Sequence, residues 1–121
     1  MTRFDVILGK ENKTEKKSKL TLILDENDSV LDCIKEGMLK NNVKEAEVVK
    51  INGKIIEGRI LGQEGNVIVQ DAELINAKGK LKFGGDELWG KLNVFTEGKK
   101  PISGELLNGK AQEGLKIELE F

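Results

Sequence analysis

The chain has 121 residues, of which 38% are hydrophobic and 4% aromatic, enough for one domain with a real but aromatic-poor core. Twenty basic residues against twenty-one acidic ones leave a formal charge of −1, which excludes a molecule-wide attraction for phosphate polymers. Histidine is absent, so the commonest general base and the commonest transition-metal ligand are missing together.

Taken in order, Phe4, Val6 and Leu8 alternate with Asp5 and Ile7 and predict a first strand ending at Gly9. Lys10 to Lys19 follow as KENKTEKKSK, a polar stretch without periodicity that carries five Lys against two Glu. It reads as a solvated hairpin loop, with Lys10, Lys13, Lys16, Lys17 and Lys19 as the candidate contact for an anionic partner. Leu20, Leu22 and Leu24 predict a second strand, antiparallel to the first, which Asp25 to Asp28 interrupt.

Ser29 and Asp32 have the spacing of a capping box and predict the start of a helix. Leu31, Ile34 and Met38 recur at helical spacing, flanked by Val30, Cys33 and Gly37, while Asp32, Lys35, Glu36 and Lys40 take the wet side. Gly37 costs about 1 kcal/mol against Ala inside a helix, which points to close approach of a strand there. Asn41 and Asn42 terminate the helix. The single Cys33 excludes an internal disulfide and reads as a buried structural thiol.

From Ala46 onward the signals are strand and turn. Asn52-Gly53 has the form of a tight hairpin turn, with Ile55 and Ile56 on the returning strand. Gly62 to Asn66 predicts another turn, Lys78-Gly79 a third that divides Ala72–Phe83, and Gly84–Asp86 a loop. A hairpin spans Trp89 to Leu107 around Gly98, Lys99 and Lys100. Equal parity of its two core faces sets Asn93 opposite Glu105, Val94 opposite Gly104 and Phe95 opposite Ser103. After Asn108-Gly109 a last strand alternates Leu115, Ile117, Leu119 and Phe121 with charged residues.

One helix and many antiparallel strands predict an α+β fold, a single domain over residues 1–121. A single helix covers one face of such a sheet poorly, so self-association is expected. No apolar run approaches the roughly 20 residues of a spanning helix, and no charged-then-apolar leader opens the chain, so the expected address is the cytoplasm and no membrane partner is expected.

Two short strands, the segment SVLDCIKEGMLKNNVKEAEVV, Ile51-Asn52-Gly53, Ala72 to Gly79 centred on Glu73-Leu74, then KLNV, PISGELL and the last alternating strand resemble, over nearly the whole chain, the plants-and-prokaryotes-conserved (PPC) domain family. The resemblance implies a compact α+β domain that associates as a trimer, and many relatives are described as DNA-binding. It also implies a His-x-His strand and a Gly-Gly-His-Leu strand whose imidazoles converge on a metal. Here those positions fall on Lys91, Asn93 and Glu105, and the last lies within Ser103-Gly104-Glu105-Leu106. Lys and Asn are poor zinc ligands and one carboxylate cannot supply three, so no metal and no cofactor is expected.

What remains is a polar cluster of Lys91, Asn93, Ser103 and Glu105, joined by Glu73 from the preceding strand segment and bordered by Trp89, the sole Trp. It reads first as a structural or subunit-interface cluster and second as a small-molecule pocket or a degenerate active site. The leading expectation is a non-enzymatic, homotrimeric PPC-like module. DNA is a weaker partner: the only arginines are Arg3 and Arg59, and no stacking platform stands out. Gly79 to Gly85 lacks the spacing and the following helix of a phosphate loop.

Overall fold

The computed structural model describes residues 18–97 and 101–121. The expected strand Phe4–Leu8, the lysines Lys10, Lys13, Lys16 and Lys17, and the expected turn at Gly98, Lys99 and Lys100 lie outside them. The described elements run β1 (Lys19–Ile23), α1 (Val30–Lys40), β2 (Glu45–Gly62), β3 (Gly65–Gly84), β4 (Glu87–Gly90), β5 (Asn93–Glu97), β6 (Ile102–Ala111) and β7 (Lys116–Glu120). Lys19 therefore opens a strand instead of closing the polar loop. The architecture is α+β, with every strand pairing antiparallel.

α1 begins where the capping residues require. Ser29 is extended, and its Oγ accepts the Asp32 N–H at 3.4 Å, satisfying one of the amides that a helix start leaves free. Val30, Cys33, Ile34, Gly37 and Met38 are buried, and Leu31 is half-buried at the margin of the stripe. A Cβ on Gly37 would stand 2.7 Å from Leu22 Cδ2, so the helix lies close on β1 because that residue has no side chain. Asn41 caps the other end and Asn42 takes the left-handed conformation at φ 56.

Two predicted turns are corrected by the long strands. β2 passes straight through Asn52-Gly53, and its register with β3 has the same offset on either side of an unpaired stretch, at Val48↔Gly79 and at Gly53↔Leu74. The dipeptide makes a kink, with Gly53 at φ 136. An 18-residue strand extends about 60 Å, too long for one flat neighbour, and it changes partners here. β7 pairs with Glu47–Asn52 and β6 with Ile55–Leu61. Likewise Lys78-Gly79 is continuous strand within β3, and Gly79 allows the Lys91 carbonyl to lie against it. Asn108-Gly109 lies inside β6, and the last turn falls at Glu113-Gly114, with Gly114 at φ 91. The turns at Gln63-Glu64 and Gly85-Asp86 stand where the sequence puts them.

The sheet order is β1-β7-β2-β6-β5-β3-β4, and β2 also pairs with β3. The ladders β2–β6–β5–β3–β2 thus close a ring. Its buried residues Ile60, Leu74, Val94 and Leu106 belong to one core with Leu20, Leu22, Ile34, Met38, Ile117 and Leu119. Among the described residues no helix is long and apolar enough to cross a membrane.

Candidate functional site

The β5–β6 ladder sets the site. Its register is Asn93↔Glu105, Val94↔Gly104, Phe95↔Ser103 and Thr96↔Ile102, the pairing that parity predicts. Val94 and Thr96 are buried, whereas Asn93, Phe95 and Glu97 are exposed, so a slip of one residue would turn the core-facing set outward. Thr96 is polar yet only 2% exposed. Its Oγ1 accepts the Ile102 N–H at 3.1 Å and donates to the Ile102 carbonyl at 3.3 Å, so the buried hydroxyl is satisfied and the register is pinned.

The neighbouring ladders continue the row. Lys78 on β3 faces Asn93, Asn93 faces Glu105, and Glu105 faces Leu61 on β2. The next row is Asn76, Phe95 and Ser103. Asn93 and Ser103, with Asn76, Lys78 and Phe95, line an open depression of about 330 Å³. Glu105 is half-buried and lines a different cleft of about 430 Å³ beside α1 and β4, together with Asp32, Lys35 and Glu87. No ion pair joins Lys91 to Glu105.

Glu73 is not brought to this cluster. It pairs with Glu97, four residues along β5 from Asn93, or roughly 13 Å. Trp89 is 62% exposed on β4 and faces Lys82. Lys91 follows β4 directly and is exposed. Lys19 is half-buried at the start of β1, on the far side of the sheet order. Lys78 and Asn76 were hidden from sequence reasoning because Lys78-Gly79 looks like a turn. The signal that could have found them is the alternation Ala77, Lys78, Gly79, Lys80, Leu81, Lys82, which continues one strand.

A metal held by this face would need three converging donors. The positions that correspond to the resembled imidazoles carry an exposed ammonium, an exposed amide and one half-buried carboxylate, a set that does not fit a zinc centre. Among the described residues no group of three or more Cys, Asp or Glu is arranged to hold a metal ion.

No protein-family model and no curated protein matches the sequence. Solved structures do match the fold. A plant- and prokaryote-conserved (PPC) protein from Pyrococcus horikoshii superposes with TM-score 0.64 at 15% identity, over 99% of this chain and 82% of its own. A candidate DNA-binding protein from Bacteroides thetaiotaomicron gives TM-score 0.72 at 13% identity, over 99% and 82%. A metal-containing protein from Archaeoglobus fulgidus gives 0.69 at 14% identity, over 99% and 84%. Matched over nearly its full length and over more than four-fifths of each of these structures, this chain has the PPC fold.

Proposed function

We propose that the chain is a non-catalytic PPC-like assembly module that works as a cytoplasmic homotrimer and associates with DNA. The observation that carries the assembly reading is the exterior of the strand ring. Phe95 is 41% exposed and Ile75, the bulged residue beside it on β3, is 46% exposed. Leu61 is exposed at the end of the Lys78–Asn93–Glu105 row. Large apolar groups gathered on a strand face mark an association surface. A second copy of the same chain is the occupant that the resemblance implies.

Catalysis is disfavoured by chemistry. The row offers an amide, a carboxylate and an ammonium without a histidine or a buried nucleophile, and Cys33 is shut in the core at 2% exposure. The DNA reading draws on the description of the Bacteroides protein of the same fold.

The test is sedimentation equilibrium at micromolar concentration on the full chain and on Phe95→Lys with Ile75→Lys. A trimeric mass for the parent and a monomeric mass with an unchanged circular-dichroism spectrum for the variant support the reading. A monomeric parent overturns it.

A further inference from the structure

β3 carries a second feature on its outward side. Lys78, Lys80 and Lys82 are all exposed, while Ala77 before them and Leu81 between the last two are buried, so the three lysines share one face. The steps along this row are about 6.8 Å, a regular spacing of the kind a phosphodiester backbone presents. Lys91, exposed and directly after β4, runs beside β3 with its carbonyl against Gly79. None of these four lysines is ion-paired with a described residue. Glu47 and Glu45 on β2 stand opposite Lys80 and Lys82. They bound the row on one flank and leave an anion the flank toward β4.

Trp89 occupies that open flank. It faces Lys82 across the β3–β4 ladder, on the strand that ends the sheet order. Its indole rests over Gly84, where a Cβ would fall 2.8 Å from Nε1 and 2.9 Å from Cδ1. The ring is therefore seated against backbone on one side while 62% of the residue remains exposed. An apolar ring held in place at the end of a lysine row has the two parts that single-strand recognition uses, a cationic track and a stacking surface.

We infer that this β3–β4 face binds single-stranded DNA, with phosphates along Lys78, Lys80, Lys82 and Lys91 and an unpaired base stacked on Trp89. The inference rests on the DNA-associated reading above and adds the surface and the strand state. A duplex keeps its bases stacked on each other and leaves Trp89 without a partner. An acidic polypeptide satisfies the lysines but brings no base to the ring. Lys80, Lys82 and Trp89 lie away from Phe95, whereas Lys78 also lines the depression with Phe95 and stands where the two surfaces meet.

The experiment follows two signals while oligo(dT) is titrated against the full chain: emission of the single Trp, and anisotropy of a label on the oligonucleotide. Saturable quenching that parallels the anisotropy is expected at 50 mM salt. Neutralising three to four phosphates of a single strand gives a slope of about −2 to −3 in log affinity against log salt, or roughly 20- to 50-fold weaker binding at 200 mM. Lys80→Gln with Lys82→Gln should make that slope shallower by about 1.4 and weaken binding about tenfold or more. Gly84→Ala, which displaces the indole without changing charge, should reduce quenching and leave the slope unchanged. Anisotropy without quenching, insensitive to the lysine changes, overturns this face while the DNA reading stands. No anisotropy change at 50 mM overturns both. Equal or tighter binding of a duplex, equal quenching by poly-glutamate, or emission that shifts with protein concentration in the absence of DNA each overturns the inference.

Discussion

Asn93 lies directly opposite Glu105 across the β5–β6 ladder, and the two side chains open onto different hollows: Asn93 lines the depression with Phe95 and Ser103, and Glu105 the cleft beside α1. Neighbours in the ladder therefore do not act as one binding site. They line separate hollows at the position where the resemblance would bring donors together.

Zinc is accordingly expected to be without effect. Thermal unfolding in the presence of excess zinc and in the presence of a strong chelator should give the same midpoint within experimental scatter, since a ligand raises stability only by binding the folded state. A zinc-dependent rise of several degrees, lost in Glu105→Ala, would show that the donor set had been misjudged.

Gly53 and Gly65 both take positive φ, 136 and 110, but their surroundings differ. Each should lose about 1–3 kcal/mol on substitution by Ala from backbone strain. Only at Gly53 would the new Cβ meet backbone, 2.9 Å from Leu115 Cα, whereas nothing lies within 4 Å at Gly65. Overpacking adds about 1–3 kcal/mol there. Urea midpoints should therefore rank parent, Gly65→Ala, Gly53→Ala, and equal losses would mean that the kink in β2 is looser than it looks.

Two isoleucines that look alike in composition should respond very differently. Ile34 is fully buried between helix and sheet, while Ile68 is 67% exposed on β3. Ile34→Ala is expected to cost about 2–5 kcal/mol through lost burial and a residual cavity. Ile68→Ala should stay within about 0.5 kcal/mol. Chemical denaturation of the two variants checks the contrast, and a large loss at Ile68 would place it under cover in the assembled protein.

Thr96→Val keeps the shape of the side chain and removes both bonds to Ile102. The Ile102 amide then loses its hydroxyl acceptor. The expected cost is about 1–2 kcal/mol, read as a lower midpoint with an unchanged denaturant slope. A neutral outcome would mean that the alternation of Val94 with its neighbours alone maintains the register.

Much of this fold was legible because it follows from short-range physics. The Ser29 cap, the stripe through Ile34 and Met38, and the pairing of Asn93 with Glu105 each rest on a period of 3.6 or 2 within one segment. Side-chain parity needs no knowledge of distant neighbours. The candidate face was legible in part: Asn93, Ser103 and Glu105 emerged from that register. Glu73 did not join them, since the number of residues between two ladders is invisible until the strands are laid side by side.

Sequence alone determined the local alphabet of this protein: where the helix starts, which strand faces are apolar, and that no imidazole is available to a metal. Tertiary structure decided what Asn52-Gly53, Lys78-Gly79 and Asn108-Gly109 become, because a glycine-containing dipeptide is compatible with either a reversal or a kink. The choice falls to the partner strands, which pair with the chain on both sides of each of these sites. The same choice sets Lys78, Lys80 and Lys82 in line beside Trp89, a grouping produced only when β3 remains one unbroken strand.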